Sequence, residues 1–401
     1  MSAVASEPAS HQKVGWFELF YDLVIVAAVS YGSHVLLADP TWSMAWQIAF
    51  SMLVMLVLWL LTSLNNNLFP GDHPWRRILT LVQMLALVIA ALSTGGSEGL
   101  PDQMGFIALS VAFATVAVMY AMAGHSHVSD GRDARLVAYS SALASAVLLT
   151  GGFLPHGSGS AETVTVVGVL TVGVGLAAVP LLGPFIGRLC ALGQVDDEHL
   201  GERVGQLVII VLGESFVSLV SALSGKAEIP NPVYLVLTFV VVFAIWTMYF
   251  SSVVPAGVPS RAGWLRLWLL GHWGLMFGAV AAAVGFSALA SVPFGDEGTS
   301  ASWTTSPLLV VMASLAMLTW VSCRAVTRLV VLHLLAGLVL AVLAIIAVTE
   351  TAGGVNWEVA VGSLVVILDA VIAVRWVRPY APVTPAGAEE TRPLGTDPSP
   401  S

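Results

Sequence analysis

Twelve long apolar segments, separated by short polar gaps, constrain the fold of this chain more than any other feature. Each contains about the 20 apolar residues that an α-helix needs to cross ~30 Å of hydrocarbon. Lipid offers no hydrogen-bond partner to an open backbone, so each segment is expected to be a helix. The predicted spans are residues 16–37, 41–64, 77–95, 103–123, 135–154, 163–187, 204–224, 232–254, 264–291, 303–322, 328–349 and 356–377.

The distribution of positive charge agrees with this count and sets an orientation. When the gaps are numbered along the chain, Lys226 lies in an odd gap, and every other Lys and Arg lies at a terminus or in an even gap. Cytoplasmic loops retain Lys and Arg, so both termini are predicted to be cytoplasmic. A miscounted span would exchange the sides of all later loops and mix the charges. Of the 15 Lys and Arg residues, those on the predicted cytoplasmic side are Lys13, Arg76, Arg77, Arg132, Arg135, Arg188, Arg203, Arg261, Arg266, Arg324, Arg328, Arg375, Arg378 and Arg392.

The composition fits an integral membrane protein. Charged residues make up 10% of the chain, against roughly 25% in a soluble globular protein. We predict an all-α, polytopic helical bundle over residues 15–378, with disordered tails at residues 1–14 and 379–401. No basic patch with interleaved aromatic residues points to nucleic acid. No phosphate loop, dinucleotide-binding motif or zinc-ligand spacing occurs, so no cofactor or metal is predicted. The expected partners are the lipid bilayer and an unidentified small molecule or ion, such as protons.

A faint internal repeat suggests two halves of six spans. Glu18 and Glu202 each stand five positions before the sequence Leu-Val-Ile. Gln83 and His272 each lie six residues after an arginine that opens a span. An even number of spans in each half predicts parallel repeats related by an axis along the membrane normal. The alternative is that apolar helices resemble one another through composition alone.

Few ionisable residues fall inside the predicted spans. Such a residue costs at least ~2.5 kcal/mol near the bilayer centre, so each one is a functional candidate. With several other polar residues, they are expected in the cytoplasmic half or at the centre of the bilayer. A polar slab of this kind is typical of a water-accessible cavity open to the cytoplasm. Its members are Tyr21, Asp22, Asn65, Asn66, Asn67, Gln83, Glu214, Tyr249, His272, His333 and Asp369.

The first polar stretch begins at Trp16 and carries two carboxyl groups. Glu18 and Asp22 are four residues apart and therefore share one helix face. Two carboxylates so close in a low dielectric are rarely both charged, so one of them is expected to hold a proton. In a second interpretation, Asp22 hydrogen-bonds a neighbouring helix or pairs with an arginine such as Arg77.

The second polar stretch begins at His199. His199, Glu202 and Arg203 lie at the predicted cytoplasmic rim, where they form either a salt bridge that orients the span or part of a site. Glu214 is expected close to the midplane. Its small neighbours permit close helix approach, so it is expected to face another helix. At that depth it would be protonated, or paired with His272 or, less plausibly by depth, Arg203.

The third stretch contains His272, followed by Gly274 and Gly278. The spacing of the two glycines predicts helix packing. His272 itself has two interpretations, a satisfied core histidine or a proton relay, because imidazole exchanges protons near physiological pH. His333 and Asp369 lie in no recognisable motif.

These stretches together resemble the low-temperature-requirement A family of bacterial membrane proteins. The resemblance covers roughly residues 14–378, and it implies a multi-pass protein of the bacterial cytoplasmic membrane. The family name records a growth phenotype and implies no assigned reaction. The residues that carry the resemblance are Trp16, Glu18, Leu19, Phe20, Tyr21, Asp22, Leu23, His199, Glu202, Arg203, Leu212, Gly213, Glu214 and Ser215, with His272 and Gly278 in a weaker third pattern.

Three functions are compatible with these features. The leading hypothesis is a secondary transporter or proton-linked channel, in which Asp22 and Glu214 carry protons or bind a cation and His272 acts as a relay. The alternative is a membrane-embedded enzyme that acts on a lipid or isoprenoid substrate, with Asp22 or Glu214 as general acid. The third is a scaffold or sensor whose buried polar groups only specify helix packing.

Overall fold

The structure is a computed structural model that describes most of the chain. The tails for which disorder is predicted, residues 1–14 and 379–401, lie outside the described residues. The described ranges are residues 15–69, 73–94, 100–126, 131–154, 160–183, 185–186, 196–293, 302–322, 327–349 and 357–377.

Twelve helices in these ranges are long and apolar enough to cross a membrane, which confirms the predicted number. The described residues contain no β-strand. The protein is therefore an all-α polytopic bundle. Its helices are α1 (Trp16–Ala38), α2 (Trp42–Leu68), α3 (Pro74–Leu92), α4 (Asp102–Ser126), α5 (Gly131–Gly151), α6 (Ser160–Leu182), α7 (Asp197–Leu223), α8 (Pro232–Met248), α9 (Ala262–Ala290), α10 (Ser302–Ser322), α11 (Thr327–Thr349) and α12 (Trp357–Val377).

Helix α7 begins seven residues before its predicted start at residue 204. The side chain of Asp196 caps the helix by accepting a hydrogen bond from the backbone nitrogen of His199 at 3.0 Å. Acidic residues in the first turn also suit the positive end of the helix dipole. Hydropathy places the start later because the first turns are charged. As a result, Glu214 lies nearer the end of α7 than its start, and not at the centre.

Helix α8 continues into an irregular end. A π-helical turn, Tyr249–Val253, follows α8, and a short 3₁₀ turn, Val254–Ala256, comes next. Gly257 then adopts a φ of 73°, a left-handed conformation that suits glycine. Turns of the π type often occur at functional sites in helices. This one places Tyr249 inside the bundle.

The same helix contacts occur in both halves of the chain. Helix α1 packs against α2 and α3, and α7 correspondingly packs against α8 and α9. The series α3–α4, α4–α5 and α5–α6 is matched by α9–α10, α10–α11 and α11–α12. The halves meet where α1 and α2 contact α7 and α9. This correspondence supports the interpretation of the repeat as two six-helix halves.

Helix α9 is the most buried of the twelve, and its glycines explain how it packs. A Cβ atom on Gly278 would lie 2.9 Å from Val311 Cγ2 and 3.1 Å from the carbonyl oxygen of Pro307. A Cβ atom on Gly274 would meet Ser314 Oγ at 2.5 Å. Both glycines therefore allow close approach to α10, as their spacing predicts.

Candidate functional site

One end of the bundle gathers a dense set of polar side chains. We call it the entry end: α1 and α7 begin there and α2 ends there. We call the polar set the entry-end network. Its members come from three helices, α1, α2 and α7, and therefore from both halves. They are Glu18, Asp22, Trp59, Asn66, Asn67, His199 and Arg203.

Arg203 is the centre of this network. Its Nη1 donates to Glu18 Oε1 at 3.1 Å and its Nη2 donates to Asp22 Oδ1 at 2.6 Å. Trp59 Nε1 donates to the same Asp22 oxygen at 2.6 Å. The guanidinium carbon lies 5.2 Å from the centre of the Trp59 ring, within reach of a cation–π contact. The side chains of Arg203 and Asp22 are 1% and 0% exposed. The charges are thus buried and bonded to each other.

A second layer lies between this ion pair and the helix ends. His199 Nε2 is 3.3 Å from Glu18 Oε2, and Asn66 Nδ2 donates to Glu18 Oε1 at 3.3 Å. Asn67 connects α2 to the start of α7, because its side chain accepts from the backbone nitrogen of Asp196 at 3.0 Å. Glu18 therefore receives contacts from both neighbouring helices. Its side chain is 11% exposed, so it marks the outer limit of the buried network.

Helices α1 and α7 run side by side in a fixed register. Asp22 pairs with Arg203, and Ser33 pairs with Glu214, with the same separation of 181 positions. The second pair lies about 16 Å further along the helices, at 1.5 Å per residue. Eleven residues make about three turns, so both pairs fall on one face of each helix. The contact between the halves thus carries polar groups at two levels.

Glu214 occupies the deeper level. Its Oε1 accepts from Ser33 Oγ at 2.9 Å and from Ser218 Oγ at 3.0 Å, and the two hydroxyl oxygens are 3.0 Å apart. Glu214 is 3% exposed. Its hydrogen-bond partners among the described residues are neutral hydroxyls, in contrast to the arginine that holds Asp22.

An apolar layer separates the two levels. The buried residues between them on α1 and α7 are Ile25, Val26, Ala28, Val29, Gly32, Val204, Gly205, Leu207, Val208, Val211 and Leu212. The sequence leaves open whether the polar slab is one cavity or several separate contacts; the described residues form separate polar groups. Sequence alone does not decide between these alternatives, because depth along a helix does not determine which way a side chain points around it.

A side branch extends from the entry-end network into the first half. Tyr21 Oη is buried beside Thr62. Thr62 Oγ1 donates to Gln83 Oε1 at 3.1 Å, and Gln83 Nε2 donates to the carbonyl oxygen of Ala112 at 3.5 Å. Tyr21 is thus next to Asp22 on α1, and Gln83 is connected to it through Thr62.

His272 does not pair with Glu214. Its Nδ1 is 2.7 Å from the carbonyl oxygen of Trp268, and its Nε2 is 2.9 Å from Tyr249 Oη. A carbonyl only accepts, so Nδ1 carries a proton; in the neutral ring, Nε2 then accepts from Tyr249 Oη. The ring is satisfied on both nitrogens, which corresponds to the core-histidine interpretation of the sequence.

Two further candidates lie outside the network. Glu202 is exposed and accepts a hydrogen bond from Gln206 Nε2 at 3.3 Å, so it does not join His199 and Arg203 in a rim salt bridge. Asp369 pairs with His333 in the second half, with 2.6 Å between Oδ2 and Nδ1. Within the described part of the chain, no group of three or more His, Cys, Asp or Glu side chains could hold a metal ion.

The comparison with known families extends over most of this architecture. The family model for bacterial low temperature requirement A protein (LtrA) matches residues 13–368. The chain belongs to this family. A search among curated proteins found no match. The matched region of this LtrA-family protein contains the whole entry-end network and the Glu214 group, and it ends one residue before Asp369.

The structure of this LtrA-family protein brings together six of the ten candidates predicted from sequence. These six are Glu18, Tyr21, Asp22, Gln83, His199 and Arg203. Three partners were missed: Trp59, Ser33 and Ser218. A signal for Ser33 exists, because it follows Asp22 by three helical turns and so lies on the same face. Ser218 carries a similar signal, because it follows Glu214 by four residues and so lies on the same helix face, whereas Trp59 carries none in one sequence.

The charges of the network define what it can bind. Glu18 and Asp22 contribute two negative charges and Arg203 one positive charge, so the group is one positive charge short when His199 is neutral. Asp22 Oδ2 is buried and has no hydrogen-bond partner. A proton or another cation would complete the charge balance. Sequence reasoning expects a proton on one carboxyl group; in the structure, Arg203 neutralises part of that charge.

Proposed function

We propose that this protein is a proton-linked secondary transporter in which Asp22 and Glu214 are the groups that bind the proton or cation. The observation that carries the proposal is the position of both carboxyl groups at the contact between α1 and α7, where the two six-helix halves meet. In transporters built from repeats, substrate and coupling-ion sites lie at the interface between the repeats.

The two carboxyl groups have different roles in this proposal. Asp22 is held by Arg203 and Trp59, so it belongs to a charged contact that joins the halves at the entry end. Glu214 has hydroxyl partners and needs a proton or a cation to be neutral inside the bilayer. Glu214 is therefore the proposed carrier group. His272, bonded at both nitrogens, has no relay function in this scheme.

The orientation is part of the proposal. The sorting of lysines and arginines supports an orientation with both termini and the entry end on the cytoplasmic side of a bacterial inner membrane. The entry-end network then faces the cytoplasm, and Glu214 lies closer to the outer surface.

The experiment is proton flux into liposomes that contain the purified protein, read with an internal pH dye under an imposed potential. Glu214→Gln keeps the size of the side chain and removes its titration, so the proposal expects loss of flux. Glu202→Gln is the matched control, because it removes an exposed carboxyl group from the same helix. Wild-type flux in Glu214→Gln would exclude Glu214 as the carrier.

A different outcome would favour the enzyme hypothesis. Absence of flux in the wild type, together with a lipid or isoprenoid identified in the purified protein by mass spectrometry, would point to embedded catalysis. Asp22 is then a poorer choice of general acid than Glu214, because the hydrogen bond from Arg203 favours its ionised form. Glu214 would remain as the acid.

A further inference from the structure

The second half contains a buried titratable pair that the proposed transport site does not use. His333 on α11 and Asp369 on α12 approach to 2.6 Å between Nδ1 and Oδ2, and their side chains are 0% and 1% exposed. Helix α12 also packs against α8 and its π-helical turn, and α11 and α12 both pack against α10. The pair thus stands in the half that does not contain Asp22.

Each member of the pair has an unused polar atom. His333 Nε2 and Asp369 Oδ1 are both buried and have no hydrogen-bond partner. His333 lies near the start of α11 and Asp369 near the end of α12, so both are roughly 10 Å from the entry end at 1.5 Å per residue. A buried polar atom without a partner is costly in a structural contact. Two of them in one pair suggest a role beyond helix packing.

Charge balance inside the bilayer indicates what this pair can bind. A neutral imidazole beside an ionised carboxylate has one net negative charge, whereas the same pair with one more proton has none. A net charge in the bilayer interior is costly, so proton uptake relieves that cost. A short contact between a protonated imidazole and a carboxylate is also one of the stronger hydrogen bonds in proteins.

Few other charged or titratable groups face the pair from the surrounding helices. In its described residues α10 has none, and the π-helical turn beside α12 contributes Tyr249, which is bonded to His272. Arg328 and Arg375 are exposed near the entry end. The remaining groups, Tyr234 on α8 and Glu358 on α12, lie at the opposite end of these helices.

We infer that His333 and Asp369 form a proton-binding site in the second half, which takes up and releases one proton as a unit. The ligand is a proton that exchanges with the entry-end side, to which the pair is nearest. The inference does not depend on transport through the α1–α7 contact. It goes beyond the proposed function, because it gives the second half its own protonation state.

The test is infrared difference spectroscopy of the purified protein between about pH 5 and pH 8, the range in which histidine usually changes charge. Proton uptake by the pair alters the imidazole ring bands and the carboxyl bands together. We expect one set of difference bands to be lost in both His333→Gln and Asp369→Asn. The control is His34→Gln, which removes an exposed histidine on α1 and should leave that set unchanged.

Two variants and a labelled protein keep the test decisive. Elution and melting temperature identify any variant that fails to fold. Incorporation of ¹³C-labelled histidine into the wild type then shifts the ring bands without a substitution. Difference spectra that are identical in the wild type and Asp369→Asn would show that the pair holds a fixed proton, which would overturn the inference. Because no flux is measured, this result is independent of the transport experiment.

Discussion

At the scale of single residues, Arg203 is the side chain on which the entry-end network depends. It holds Glu18 and Asp22 through two ion pairs and is 1% exposed. Removing one partner of a buried ion pair leaves uncompensated charge and costs about 3 to 5 kcal/mol. We therefore expect Arg203→Gln to lower the free energy of unfolding by about that amount, measured as loss of thermal stability in detergent.

Two further variants test the cause of that loss. Adding Asp22→Asn and Glu18→Gln to Arg203→Gln removes the stranded charges and should recover part of the stability. Glu202→Gln, an exposed change one position away, should stay within about 0.5 kcal/mol of the wild type. Unchanged stability in Arg203→Gln alone would mean that Arg203 does not neutralise the carboxylates.

The residue types of the site could be predicted from sequence, but not their partners. Asp22 and Glu214 stand out because an ionisable residue in an apolar span is costly. The choice of Arg203 over Arg77 as the partner of Asp22 depends on the register of α1 against α7, which is a tertiary property. The same holds for Glu214, where depth favours His272 and the angular position selects Ser33.

At the scale of elements, we expect the contact between α1 and α7 to separate more easily at the entry end when the Asp22–Arg203 ion pair is removed. It is polar at Asp22–Arg203 and at Ser33–Glu214, with an apolar layer between these levels. A cysteine in place of Val29 lies in that layer and should react slowly with a water-soluble maleimide. Adding Asp22→Asn removes a charged hydrogen bond between the halves, worth ~1.5 to 3 kcal/mol. Labelling should then be about tenfold faster or more.

The labelling experiment needs a background and a control. Cys190 and Cys323 are first replaced by serine, so that the introduced thiol is the only one. A cysteine in place of Ser224, which is exposed at the far end of α7, should react rapidly with or without Asp22→Asn. An equal labelling rate at Val29→Cys in both backgrounds would show that the ion network does not hold α1 against α7.

The elements themselves follow closely from the sequence, with informative exceptions. Hydropathy gives the number of helices because the length of a span is set by the bilayer. It misplaces the start of α7, where Asp196 caps a charged first turn, and it does not show the π-helical turn after α8. Both exceptions occur where polar groups form hydrogen bonds inside the protein. A count of apolar residues does not take such bonds into account.

At the scale of the whole molecule, the sequence predicts the orientation of the helical bundle in the membrane. The structure preserves the alternation of loops because it contains the predicted twelve spans, so Lys226 lies at the opposite end of the bundle from the Lys and Arg residues that the structure describes. Its Nζ donates to the carbonyl oxygen of Ser291, which joins the loop after α7 to the end of α9 at that side of the bundle.

Reporter fusions provide the measurement. Alkaline phosphatase is active only outside the cytoplasm, so a fusion after Lys226 should be active and a fusion after Arg261 should be inactive. The physical reason is that Lys and Arg are retained on the cytoplasmic side during insertion. A green fluorescent protein fusion should give the opposite pattern at the same two positions. Reversed activities would invert the bundle, place the entry-end network at the outer surface and bring Glu214 closer to the cytoplasm.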